Sequence, residues 1–212
     1  MKIIKPSVEI MTRIDGMEIL KHIERCGRTC YKSEDKITND SCVKFAQQII
    51  KRGHEAVIEH YNITVKFICD RGVSHELVRH RIASFAQEST RYCQYGNNKF
   101  GGEITVIKPC YFEENSDSYI LWKKAMGEAE ANYLKLVNSY HATAQEARSV
   151  LPNSLKTEIV MTANLKEWRA VLKLRTSPAA HPQMVEIMDM LLKEFKEIIP
   201  IIFDDIGDEI NV

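Results

Sequence analysis

Arg79-His80-Arg81-Ile82-Ala83-Ser84-Phe85-Ala86-Gln87-Glu88-Ser89-Thr90-Arg91 is the stretch on which the reading of this 212-residue chain turns. It sets three arginines against one glutamate inside a protein whose 29 Lys+Arg balance 29 Asp+Glu. Crowded guanidinium groups repel one another, and each presents five donors that want planar oxyanion acceptors. Arginines interleaved with hydroxyls and an amide therefore suit a small anion, with guanidinium forks on phosphate and Gln87, Ser84 and Ser89 on polar ring edges. The competing reading is a solvated basic helix end, since charge runs usually face water.

The flanking pattern places the stretch. Residues 62–69 alternate with β-branched side chains and read as a strand, which Arg71-Gly72 breaks. Residues 73–82 read as a helix with Val73, Leu77 and Val78 inward and Glu76 on another face. Arg79, His80 and Arg81 then fall in its last turn, where the macrodipole favours cations. An extended segment follows, along which Gln87, Ser89 and Arg91 share one side by period-two geometry.

Arg-His-Arg, seven residues, Ser89, Arg91 two positions later and then Tyr92 resembles the signature of flavin-dependent thymidylate synthases. These enzymes methylate dUMP to dTMP with a folate one-carbon donor and reduced flavin. The resemblance extends from about His54 to His181. It includes the His54 to His60 segment, Arg148 three residues before Leu151-Pro152, and Asn164, Lys166 and Arg175.

Composition agrees with such an enzyme without pointing to it. The chain is 44% hydrophobic and 27% charged, as globular proteins are, and long enough for one domain with a real core. A pI near 7 supplies no global field for nucleic acid or acidic membranes. No apolar run is long enough to span a bilayer and the N-terminus lacks a signal-peptide core, so a cytoplasmic protein without membrane or nucleic-acid partners is expected. Cys26, Cys30, Cys42, Cys69, Cys93 and Cys110 form no Cys-x-x-Cys pair and read as reduced thiols, and His54-x5-His60 lacks the spacing of a helical metal pair; no metal is expected.

Along the chain, residues 7–11 read as a strand and Asp15 caps a helix to about Cys30, with Ile19, Leu20 and Ile23 inward. Asn39-Asp40 caps a second helix that Gly53 ends. The segment 54–60 reads as a polar cluster at a helix-to-strand joint. Residues 96–102 form a glycine loop with no dinucleotide-binding pattern, and 103–107 resume a strand. Residues 118–148 are helical, broken near 138–141, with Ile120, Leu121, Ala125, Ala129, Tyr133, Leu134, Val137 and Tyr140 as the inward stripe. A strand over 155–163, a helix over 165–175 capped by Asn164, and a helix over 184–199 follow. Asp204-Asp205 and Asp208-Glu209 read as a solvated acidic tail. The whole is expected to be a single α+β domain, a central mixed or antiparallel sheet flanked by helices, with long helices in the C-terminal half.

By position in the family, the resemblance implies that dUMP is held by Glu76, Arg79, Gln87, Glu88, Ser89, Thr90, Arg91, Arg148 and Arg175. FAD is implied at Ala56, Arg79, His80, Arg81, Gln87, Asn164, Lys166 and Ala170. Ala56 replaces a usual small hydroxyl residue, Lys166 a usual Arg, and Ala170 a usual polar residue. Arg175 is implied to favour ionisation of the uracil, Ser89 to orient substrate beside it, with no cysteine nucleophile. NADPH and methylenetetrahydrofolate are the implied co-substrates, and a homotetramer with shared flavin sites the implied assembly. Two other readings stay open: a nucleic-acid module using Arg79, Arg81 and Arg91 on phosphates, and a flavin-binding paralogue without methyltransferase activity.

Overall fold

The computed structural model describes residues 1–97 and 101–207. Six strands and seven α-helices are present among them. Strands β1 (Lys2–Ile4) and β2 (Ser7–Ile10) are followed by α1 (Gly16–Thr29), α2 (Ser41–Lys51), a 3-10 turn (Glu55–His60) and β3 (Asn62–Asp70). Next come α3 (Arg71–Leu77), β4 (Ser84–Gln87), β5 (Thr105–Ile107), α4 (Asp117–Asn138) and α5 (Ala144–Ala147). A 3-10 turn (Arg148–Val150), β6 (Lys156–Asn164), α6 (Leu165–Arg175) and α7 (Pro182–Ile198) complete the order. One sheet has the order β2-β3-β6-β4, and β1 pairs in parallel with β5 in the register Lys2↔Thr105. The α+β class stands as expected.

Two compact units share the chain: Met1–Ser7, Phe67–Arg79 and Phe85–Val160 form the first, Val8–Lys66, His80–Ser84 and Met161–Val212 the second. Each is assembled from three separate segments, so no linker divides the sequence.

In the first unit, Tyr95, Ile104, Val106, Trp122, Tyr133, Ala147 and Leu155 form the core. The break predicted near 138–141 falls between α4 and α5, and the inward stripe of α4 holds at Tyr133, Leu134 and Val137 but not in its first turns or at Tyr140. Ile120, Leu121 and Tyr140 are exposed, while Trp122, outside the stripe, is buried. Polar anchors set the rotation of the helix: Trp122 Nε1 donates to Ser154 Oγ at 3.0 Å, and Tyr133 Oη accepts from the Tyr95 N–H at 3.1 Å. Apolar periodicity cannot see such anchors. The loop predicted over 96–102 retains Gly101 and Gly102 at positive φ, with residues 98–100 outside the described set.

In the second unit, Asp15 caps α1 by accepting from the N–H groups of Met17 and Glu18, and Gly53, at φ 67°, lies just past the end of α2. Trp168 of α6 is fully buried, donates from Nε1 to the Ile63 carbonyl at 3.0 Å and meets Phe195 of α7 edge-on. Arg169 beside it is also buried. It bonds Glu55 at 3.0 Å, the Asp205 carboxylate at 2.7 and 2.8 Å, and the carbonyl of Ile202. Asp204 and Asp205 are exposed, as expected, but Asp205 is tied down, because the buried Arg169 guanidinium requires counter-charge. Asp208 and Glu209 lie outside the described residues.

Two glycines make opposite predictions. A Cβ on Gly16 would stand 2.2 Å from the Ile198 carbonyl oxygen and 2.8 Å from Pro200, whereas one on Gly127, inside α4, would meet nothing within 4 Å. Gly16→Ala is expected to lower the unfolding free energy by about 1–3 kcal/mol through overpacking. Gly127→Ala is expected to raise it by about 0.5–1 kcal/mol through helix propensity. Urea unfolding of the two variants checks both signs.

Candidate active site

The arginine-rich signature straddles the division between the units, which falls after Arg79. Helix α3 ends at Leu77, not at residue 82. Its last carbonyls are closed by the N–H groups of Val78, onto Ser74, and Arg79, onto Glu76, and Val78 is exposed. Arg79, His80 and Arg81 thus lie beyond the helix, in the connection that must extend into β4. Glu76 is half-buried on α3, and Arg79 is exposed.

In the first unit, β4 meets β6 and the pairing carries the next residues into place. Gln87 donates from Nε2 to Ser74 Oγ at 2.8 Å and Thr157 Oγ1 at 3.2 Å. The Glu88 N–H donates to the Glu158 carbonyl at 2.9 Å. Its carboxylate accepts from Tyr95 Oη at 2.8 Å and Lys156 Nζ at 2.9 Å, and Lys156 also reaches Glu158 at 2.7 Å. Burial, and then Glu88, push the Tyr95 phenol upward, so it stays a donor. Burial disfavours the Lys156 ammonium, but Glu158 and Glu88 outweigh it and raise its pKa. Glu88 is held by the fold through both carboxylate oxygens.

The strand stops at Gln87, so the period-two alignment of Gln87, Ser89 and Arg91 does not occur. The Ser89 carbonyl accepts from the N–H groups of Tyr92 and Cys93, turning the chain, and Ser89 Oγ accepts from the Arg91 N–H at 3.3 Å. No carboxylate or imidazole is hydrogen-bonded to that hydroxyl among the described residues, and a serine nucleophile needs such a base. Thr90 is buried and its Oγ1 accepts from Arg148 Nη1 at 3.5 Å, a contact across 58 residues of sequence. Arg91 is exposed, its guanidinium 5.5 Å from the Tyr92 ring. The structure thus gathers Gln87, Glu88, Ser89, Thr90 and Arg148 in one unit.

In the second unit, Asn164 ends β6 and caps α6 by accepting from the Glu167 N–H at 2.8 Å. That helix carries Arg175 in its last turn, where Nε donates to His80 Nε2 at 3.0 Å. Burial, and then the Arg175 charge, lower the pKa of His80, so the imidazole is neutral and its Nε2 accepts. The other ring nitrogen, Nδ1, stands 3.8 Å from the Glu167 carboxylate, whose pKa burial raises. Lys166 pairs with Glu59 at 2.6 Å, tying α6 to the 54–60 segment, while Arg81 and Ala170 are exposed. Ala56 lines a cavity of about 630 Å³.

That cavity lies wholly within the second unit. Arg28, Lys36, Arg52 and His54 supply cationic and polar groups, Tyr31 and Phe45 aromatic faces, and its volume is in the range of small-molecule sites. Arg28, Lys36 and Arg52 escaped the sequence reading because α1, α2 and the turn between them carried no motif. Tyr95, Lys156, Ser74 and Thr157, which hold Glu88 and Gln87, were missed as well. The one local trace was Lys156-x-Glu158, two like-facing charges in a strand otherwise alternating with buried residues.

A family model described as "Thymidylate synthase complementing protein" matches residues 14–201. The flavin-dependent thymidylate synthase of Corynebacterium glutamicum is 31% identical over 215 residues, covering 93% of this chain and 83% of the relative. That of Pyrococcus abyssi is 34% identical over 176 residues, covering 81% and 70%. Among solved structures, the UMP/dUMP methylase PolB of Streptomyces cacaoi, bound with 5-Br dUMP, aligns with a TM-score of 0.78 at 19% identity over 96% of this chain and 95% of that one. ThyX of Helicobacter pylori, with FAD and dUMP, aligns with a TM-score of 0.71 at 20% identity over 94% and 99%. The structural likenesses establish the fold and the sequence matches the kinship: the chain belongs to the family of flavin-dependent thymidylate synthases.

Proposed function

We propose that this protein converts dUMP to dTMP by reductive methylation, with methylenetetrahydrofolate as carbon donor, FAD as redox cofactor and NADPH as reductant. It works as one domain in a cytoplasmic homotetramer and has no nucleic-acid partner. The observation that carries the reading is the Arg175–His80 contact. Two residues 95 positions apart, both implied by the family signature, meet at 3.0 Å.

The chemistry follows from what these groups can do. Methylation at C5 needs a uracil ring made electron-rich, and thiolate attack is one route. Burial, and then Asp70, push the Cys69 thiol up to about 12, and Cys42 is buried too, so neither is a nucleophile. A guanidinium beside the ring offers another route by stabilising the anion formed when the N3 proton leaves. Arg175 stays protonated throughout, and its bond to neutral His80 fixes the plane of its fork. Arg148, Arg91 and Arg79 take the phosphate of dUMP, and Ser89 and Gln87 orient the nucleotide. Glu88, engaged with Tyr95 and Lys156, contributes by holding this segment in place.

The residues present fit a flavin. Arg52 and Lys36 at the cavity beside Ala56 suit a pyrophosphate, while Arg28 is paired with Glu24 at 2.8 Å, and the apolar walls suit a ring system. His80, Arg81, Asn164, Lys166 and Ala170 belong to the same proposed FAD contacts. When bound and reduced, the flavin supplies the hydride.

Tritium release from C5-labelled dUMP, with FAD, NADPH and the folate donor present, tests substrate, cofactor and reaction together. Release is expected only with all three, and no release from flavin-loaded protein would reject the proposal. Arg175→Lys keeps the charge but loses the planar fork; turnover is expected to fall about 10²- to 10³-fold, with flavin absorbance retained. The pH profile supplies a further check. Because the folded pKa of His80 is lowered, its neutral form persists below the ordinary imidazole value of about 6.5 and is lost only in more acid solution. Protonation there removes the acceptor for Arg175, so kcat is expected to drop on the acid side. In His80→Gln, whose amide oxygen accepts without titrating, that limb should vanish.

A further inference from the structure

Arg71 begins α3 where β3 ends, and its backbone N–H is held by the carbonyls of Asn153 at 2.9 Å and Leu155 at 3.1 Å. Those bonds anchor it to the segment that follows Arg148. Its side chain is half-buried, and among the described residues its Nη1 is enclosed with no hydrogen-bond partner. A buried donor without an acceptor costs about 1–3 kcal/mol, more when charged, and folded proteins retain few.

The nearby carboxylates of the same unit are committed elsewhere. Asp70 caps α3 at Val73, Glu88 is taken by Tyr95 and Lys156, and Glu158 by Lys156. The Arg71 charge reaches Tyr95 and Cys69, lowering the pKa of each against the larger effect of burial. Arg71 therefore stands beside the Tyr95–Glu88 pair, and Arg148 touches Thr90 two residues further on. Two arginines from different elements address the same short segment, one through a hydroxyl and one with a donor nitrogen left over.

We propose that Arg71 is an additional anion contact of this site, donating from Nη1 to the phosphate of the nucleoside monophosphate that Arg148 and Arg91 bind. The assignment rests on the nucleotide reading above, and the family signature did not include it. The bound phosphate supplies the acceptor that the fold withholds.

Calorimetric binding of dUMP, deoxyuridine and inorganic phosphate to flavin-loaded wild type, Arg71→Met and Arg71→Lys tests this. Arg71→Met is expected to weaken dUMP about 10- to 100-fold, leave deoxyuridine unchanged and abolish competition by phosphate. Arg71→Lys should recover part of the loss, because the charge remains without the fork. The ligand-free melting temperature of Arg71→Met should not fall, since an unsatisfied donor has been removed. Equal weakening of dUMP and deoxyuridine, or unchanged dUMP affinity, would overturn the assignment. Wild type that binds phosphate through Arg71 but ignores dUMP would keep the anion contact and reject the nucleotide reading; wild type that binds neither rejects both.

Discussion

A guanidinium taken out of water must be given acceptors, and the structure meets that constraint differently at three arginines. Arg169 is fully buried and is surrounded by the carboxylates of Glu55 and Asp205 and the carbonyl of Ile202. Here the charge is neutralised within the fold, and the arrangement fastens the C-terminal segment and the 54–60 turn onto α6. Arg175, six residues later, donates from Nε to an imidazole, which fixes the orientation of its guanidinium. Arg71 keeps one enclosed nitrogen without a partner among the described residues. The first arrangement is structural, the second orients a guanidinium, and the third leaves a donor over.

His80 makes the difference at Arg175 possible. A carboxylate in its place would have paired with the guanidinium and reduced its field at a bound anion. A protonated imidazole would have repelled it. Burial and the Arg175 charge itself keep the ring neutral, so the donor and its acceptor maintain each other in the required state. Glu88 shows the converse case. A carboxylate inside an arginine-rich segment would compete for the same cations as a phosphate, and Lys156 and Tyr95 hold it aside.

Much of the fold was legible because it is local. Asp15 and Asn164 cap α1 and α6 through their own neighbours' N–H groups, and the alternation in β3 and β6 reflects a buried face set by the pleat. The misreadings share one origin. The rotation of α4 depends on Ser154 and Tyr95, the early end of α3 on the strand that follows, the turn at Ser89 on its own carbonyl, and the pairing of Asp205 on an arginine in α6. Each is decided by partners that no periodicity within the element can encode. The candidate site divides in the same way: Arg79, His80, Arg81, Gln87, Ser89, Arg148 and Arg175 were legible as a spaced signature, while Tyr95, Lys156, Ser74 and Arg71 carried no motif.

The sequence by itself determined where most helices and strands lie and to which family the signature points, and it singled out the candidate site residues, because residue type, capping and alternation are properties of short stretches. Only the tertiary structure decided what each charged group is doing. The state of a guanidinium, imidazole or carboxylate depends on the acceptors and burial around it, and the chain supplies those from positions as far as 114 residues away, as with Arg175 on His80 and Arg169 on Glu55.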